Sequence, residues 1–339
     1  MEVLLLQLQC KRISAAMEAE NLDANIVEKI KKLEAKYAAM GQDLASYLEG
    51  LLQADYLNYW DYINLDTLLT LQQPRTSYPD EMIFICYHQH TELFFKLILW
   101  EMEQITAAEP VAPQVFLEKV KRCIRYFDNL EHSFDIMVNG MDRKQFLQYR
   151  MALLPASGFQ SAQYRQIELY ATDLQNLLPE EHRSNLPDKY TDDELIQSIY
   201  WQKGATELES GKKTLTLRQF EEKYTQLFLK TIRNLKDTNL RQQYLRHYQE
   251  APNRLEIVDA LRQFDLLANV TWPLAHYKAA VRYLQSPGSD IAATGGTNWQ
   301  KYLPPRFQRV LFFPELWSEE EKKEWGKSWV LKQIGQKPQ

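Results

Sequence analysis

Glycine is scarce in this chain. It supplies 11 of 339 residues, about half the usual share. That disfavours folds built from tight turns, bulges and glycine-rich crossovers, and leaves helices as the default. Cysteine is scarcer still: Cys10, Cys86 and Cys123 have no paired spacing, so neither a disulfide framework nor a zinc motif is encoded. A reducing, cytoplasmic compartment is expected. Lys and Arg number 40 against 45 Asp and Glu, a net charge of −5, which argues against a nucleic-acid partner. No apolar run approaches the roughly 20 residues that span a bilayer, so no membrane partner is expected. The N-terminal VLLLQLQ follows Glu2, lacks a basic stretch and is broken by Gln7, a poor signal peptide. A second start at Met17 precedes the acidic EAENLD. Residues 1–16 are therefore expected to be a disordered extension, and 17–339 a single domain. Internal repeats, low-complexity linkers and sustained strand alternation are all missing.

What is present is helical. The hydrophobic fraction is 45%, ample for a core, and tyrosine is abundant at 19 residues. From Phe116 the apolar positions Leu117, Val120, Ile124, Phe127, Leu130, Phe134 and Met137 keep helical spacing up to Asn139-Gly140, a C-cap signal. Asp80-Glu81 opens a helix reaching about Ile105. Leu255–Leu284 reads as another, with Pro273 inside it; the proline should kink the helix and free the carbonyl four residues back. Leu215–Leu235 and Asn239–Gln249 read as more polar helices, peripheral like the rest of 190–250. FFPELW and a capped SEEEKKEWGKSWV helix close the chain. The pattern predicts an all-α bundle of long antiparallel helices.

Candidate chemistry gathers in a few places. In Tyr149–Arg165, YRMALLPASGFQSAQYR, Pro155-Ala156-Ser157-Gly158 breaks the helix and exposes a hydroxyl and backbone N–H groups. Arg150 lies one side chain's reach upstream, and a guanidinium beside irregular backbone is a receptor for a carboxylate. The alternative is an ordinary joint with a surface Arg. Of six histidines, His88 follows Phe84 by one turn, and His276 follows Trp272 by one turn, each in an apolar, aromatic stretch of a long helix. They are satisfied core residues, or they clamp a planar cofactor between helices. A non-haem metal on His88, His90 and Glu92 is a rival, but HxHxE alone is weak. CxxCH does not occur, so any haem would be held noncovalently. ATGGTNWQ lacks the Lys-Ser/Thr of a phosphate loop and follows no strand; it reads as a Gly-Gly turn or as a flexible loop offering a hydroxyl to a ligand. YWDYINLDTLLTLQ puts Tyr59, Tyr62 and Ile63 on one helical side, a stripe that taken alone is core.

Together these segments resemble the tryptophan 2,3-dioxygenase family, in order from Tyr59 to Pro314. The family's Y-x-x-Y-L-x-L-D matches Tyr59, Tyr62, Ile63, Leu65 and Asp66, with Ile63 for Leu. D-E…F-I-x-x-H-Q-x-x-E-L-x-x-K matches DEMIFICYHQHTELFFK. R-x-x-L-x-P-A-S-G-F-Q-S-x-Q-F-R matches Arg150 to Arg165, with Tyr164 for Phe. W-x-x-x-H matches Trp272 and His276. G-T-G-G-S matches Ala293-Thr294-Gly295-Gly296-Thr297, with Ala293 for Gly.

The resemblance implies a bundle enclosing a b-type haem, ferrous in its active form, with His276 as axial iron ligand. It places His88 on the distal side near the indole N–H. Arg150 would pair with the amino-acid carboxylate, and Thr294 would contact its ammonium and carboxylate. Phe84, Phe146, Tyr59, Tyr62 and Ile63 would wall the indole, with Ser157 and Gly158 on the haem and dioxygen side. It also implies a homo-oligomer, a tetramer built as a dimer of dimers, in which the N-terminal tyrosines reach a neighbouring subunit's site. The implied reaction adds dioxygen across the indole C2–C3 bond of L-tryptophan, giving N-formylkynurenine, the first step of tryptophan catabolism by the kynurenine route. Two alternatives stand beside it: a haem enzyme oxidising a substituted indole amino acid in specialised metabolism, and a binding protein for haem or an amino acid without turnover.

Overall fold

The structure, a computed structural model, describes residues 23–54, 57–153, 157–183, 190–204, 212–285 and 304–327. The expectation for residues 1–16 and the Thr294 loop lie outside these. Contacts divide the chain into two units, Met1–Leu71 and Gln72–Gln339.

In the first unit, two helices follow aspartate caps. Asp23 accepts from the Asn25 N–H at 2.9 Å ahead of Ala24–Ala39, and Asp43 accepts from Ala45 and Ser46 ahead of Leu44–Leu52. Two short helices, Tyr59–Tyr62 and Leu65–Leu68, are separated by Asn64 at φ 51°, a left-handed position that asparagine tolerates. None of these four helices buries a residue. The tyrosine stripe is therefore not core within its unit: Tyr59 is 70% and Tyr62 73% exposed.

In the second unit, the expected helix from Asp80 spans Asp80–Ile105, and Pro113–Ser133 packs on it through Phe116, Leu117, Val120, Ile124, Phe127 and Leu130. This second helix does not run unbroken to Asn139. It ends before Phe134, and a separate turn, Asp135–Asn139, follows. Phe134 swings its ring into the core, 5.0 Å from Trp272 and 5.5 Å from Tyr87. Gly140 closes the segment at a negative φ. It is required there by space, since a Cβ would stand 2.6 Å from the Ile136 carbonyl oxygen.

The long C-terminal run is helical from Arg254 to Leu284, but in three parts: Arg254–Leu266, a π-turn over Leu267–Thr271, and Trp272–Leu284. The Trp272 N–H reaches the Leu267 carbonyl, five residues back. In that register the carbonyl that falls to Pro273 is that of Ala268, five residues back. Asp265, fully buried, ties the FFPELW segment to this run. It accepts from the Phe312 and Phe313 N–H groups, the Trp317 indole N–H and the Asn269 amide, at 2.8 to 3.2 Å. Leu215–Leu235 buries Phe220, Phe228 and Ile232 and packs on Ala162–Ala171. Among the described residues the structure is helical with no extended strand, and no helix is long and apolar enough to cross a membrane.

Candidate active site

The Asp80–Ile105 helix is fixed at its start by its own acidic pair. The Asp80 carboxylate accepts the Asp142 N–H at 2.6 Å, and the Asp80 N–H donates to Gln145 Oε1 at 3.2 Å. Buried Glu81 accepts the Arg75 and Thr76 N–H groups, each at 2.8 Å. Thus the first turn of this helix is pinned to the helix Arg143–Tyr149, which carries Phe146. One turn on, the Phe84 ring lies 4.0 Å from His88 and 6.2 Å from Phe146. His88 Nδ1 is 2.7 Å from the Phe84 carbonyl oxygen. A carbonyl can only accept, so Nδ1 carries the proton and Nε2 keeps a lone pair. Burial lowers the His88 pKa, against the Phe84 carbonyl and Glu92, which raise it. The ring is neutral near pH 7.

Arg150 follows Phe146 by one turn, where the α-helix tightens into the 3-10 turn Arg150–Leu153. Its side chain is buried at 5% exposure, and burial draws its pKa below the usual value without neutralising it. The break expected after it is there in part: Pro155 and Ala156 lie outside the described residues, and Ser157 re-enters extended. The Ser157 N–H donates to Gln160 Oε1 at 3.0 Å, and Gln160 anchors to the Thr216 carbonyl at 3.1 Å. Ser161 then caps Ala162–Ala171 by accepting the Tyr164 N–H.

Gly158 and His276 meet across this break. A Cβ on Gly158 would lie 3.2 Å from His276 Cε1 and 3.7 Å from Nε2. Gly158 is exposed and His276 half-buried. Among the described residues neither ring nitrogen of His276 has a hydrogen-bond partner. Burial first, then the nearby His88 and Arg165, push its pKa down to about 4. A neutral imidazole with an unengaged nitrogen, held against Phe134 at 5.5 Å and facing backbone without a side chain, has the chemistry that would hold the iron of a haem. The rival metal site finds less support: among the described residues no three His, Cys, Asp or Glu side chains converge to hold an ion, and His90 packs its ring on Phe94 at 4.6 Å.

The structure therefore gathers Phe84, His88, Phe146, Arg150, Ser157, Gly158 and His276 in one unit. Tyr59, Tyr62 and Ile63 belong to the other. Three further rings line the cluster that pattern reading missed. Tyr149 is fully buried 6.0 Å from Phe84, Tyr283 lies 4.6 Å from Phe146, and Phe134 flanks His276. Tyr283 falls seven residues after His276, two turns along the same helix face, a spacing that could have disclosed it.

An all-α unit that holds two imidazoles of lowered pKa, an aromatic pair and a buried guanidinium has the groups to receive an amphiphilic, aromatic, charged small molecule. A family model described as Tryptophan 2,3-dioxygenase matches residues 51–279, and the chain belongs to that family of oxidoreductases. Curated relatives include the tryptophan 2,3-dioxygenase of Exiguobacterium sibiricum, 31% identical over 298 residues that cover 82% of this chain and 98% of that one. That of a Ruegeria species is 30% identical over 281 residues, covering 78% and 92%. That of Pseudomonas fluorescens is 28% identical over 281 residues, covering 78% and 90%.

Proposed function

We propose that this enzyme holds haem b through His276 and, in the ferrous state, adds both atoms of dioxygen across the indole C2–C3 bond of L-tryptophan to give N-formylkynurenine. The observation that carries the reading is the unengaged His276 nitrogen facing side-chain-free Gly158, in the same unit as the His88, Phe84, Phe146 and Arg150 cluster. When bound, the haem supplies the iron at which dioxygen is taken up.

The chain's own residues bind and orient the substrate. Arg150 offers two parallel N–H donors to the carboxylate, in a buried setting where an unmatched charge costs several kcal/mol. Thr294, outside the described residues, is assigned to the ammonium and carboxylate from its place in the motif. Phe84 and Phe146 supply flat walls for the indole. His88 accepts the indole N–H at Nε2. Held by the Phe84 carbonyl at Nδ1, the neutral ring keeps its Nε2 lone pair for that N–H. Ser157 and Gly158 border the dioxygen side. Tyr59 and Tyr62, exposed within their own unit, are assigned with Ile63 to the indole pocket of a neighbouring subunit in a homotetramer. A reducing, cytoplasmic setting belongs to the same reading, from the unpaired spacing of Cys10, Cys86 and Cys123.

The test is His276→Ala, assayed for haem content and for product. Wild type should purify with a Soret band and, once reduced, form N-formylkynurenine from L-tryptophan in air. The variant should lose both. Full haem loading and normal turnover in the variant would remove His276 from its role, and a product carrying a single added oxygen would replace the dioxygenase reading.

A further inference from the structure

The π-turn ahead of His276 leaves a specific debt in hydrogen bonds. With the Trp272 N–H on the Leu267 carbonyl, the next carbonyl in the pattern, that of Ala268, falls to residue 273. That residue is Pro273, which has no N–H. Ala268 is fully buried, so water cannot serve it. The Tyr164 hydroxyl does, donating to the Ala268 carbonyl at 2.8 Å.

Tyr164 is placed to do more than satisfy an orphan. It sits in the Ala162–Ala171 helix, directly after the break that carries Ser157 and Gly158. Its ring packs 5.4 Å from Phe95, and Phe95 packs 5.8 Å from Trp272, one turn before His276. The hydroxyl thus joins the segment bearing Gly158 to the helix bearing His276, at the one point where that helix changes register. We infer that Tyr164 is a positioning residue for His276: by holding the Ala268 carbonyl it fixes the register of the π-turn, the direction in which Nε2 leaves the helix, and the spacing between His276 and Gly158. The inference rests on His276 being the axial ligand.

Tyr164→Phe removes one oxygen atom and keeps the ring. In the holoenzyme, haem transfer to excess apomyoglobin should quicken about tenfold, the order expected when a buried carbonyl loses its donor. The ferrous iron–histidine stretching band in the resonance Raman spectrum should shift and broaden. Pro273→Ala is the companion variant, since it restores an N–H at residue 273 that can serve the vacated carbonyl. In that background Tyr164→Phe should change the transfer rate by no more than about twofold. The proposal is overturned if Tyr164→Phe leaves both band and transfer rate at wild-type values, or lowers only the melting temperature. An equal effect in both backgrounds overturns it as well. His276→Ala separates this outcome from failure of the ligand assignment: a His276→Ala protein that keeps its haem refutes the assignment, whatever Tyr164 does.

Discussion

Arg150 shows how a single side chain's chemistry differs from its charge. It is buried one turn after Phe146, and its planar fork can meet both oxygens of a carboxylate in a way that an ammonium cannot. Arg150→Lys keeps the charge and loses the fork. A charge-assisted hydrogen bond is worth about 1.5–3 kcal/mol, so kcat/KM for L-tryptophan should fall roughly ten- to a hundredfold. Decarboxylated tryptamine should respond little to the same change. Equal losses on both substrates, measured by steady-state kinetics, would mean that Arg150 serves the fold and not the carboxylate.

At the scale of the helix, the most demanding packing is in Ala162–Ala171, where a charged pair is enclosed. Arg165 reaches both oxygens of Glu168 at 3.0 Å, the Tyr200 hydroxyl shares the cluster, and Glu168 is fully buried. The Glu168 carboxylate keeps the guanidinium charged despite burial. Removing one partner strands the other, which costs about 3–5 kcal/mol in buried pairs. Glu168→Ala should lower the urea midpoint accordingly, and Glu168→Gln, which still accepts a hydrogen bond, should fall between it and wild type. An unchanged midpoint in Glu168→Ala would show the cluster to be more hydrated than its burial implies. None of this was visible in the sequence, where Arg165 and Glu168 look like an ordinary pair one turn apart. By contrast, the ends of the Asp80–Ile105 helix and the Ser318 cap were legible, because caps and period are written in adjacent residues.

For the molecule as a whole, Asp265 sets a pH response. Burial pushes its carboxyl up to about 6 from 3.8, though four donors converge on it. Between those values the folded protein keeps a proton that the unfolded chain has released. The stability this contributes is complete below 3.8 and is lost as pH rises through about 6. The difference in unfolding free energy between wild type and Asp265→Ala should therefore be larger near pH 4 than near pH 7. The variant should be less stable at both, by about 1–3 kcal/mol near pH 7, where its donors are orphaned, and by more near pH 4. A pH-independent difference in thermal scans would refute the shift. Asp265 was unreadable beforehand because its partners Phe312, Phe313 and Trp317 lie some fifty residues on. Arg150, Ser157 and Gly158 could be singled out because a helix breaker and a cation sit side by side in the chain. That Gly158 faces His276 could not, since it is a relation between distant segments. Likewise Pro273 reads as a kink in the sequence, but an i to i+5 turn leaves no periodic trace, so the Ala268 carbonyl is not legible there.

That turn also makes the length of the chain part of the site. A π-turn holds one residue more than the α-helix around it, and each residue of an α-helix turns its successors by about 100°. Were Leu267–Thr271 to wind as unbroken α-helix with all five residues kept, no side chain of the site would be altered. Everything before it would stay in place through Asp265, while His276 would be carried about a quarter-turn around the axis, off the line to Gly158. Substitutions in this stretch change contacts; closing the π-turn changes the compass bearing of the imidazole, and only the loss of one residue at the same place restores it.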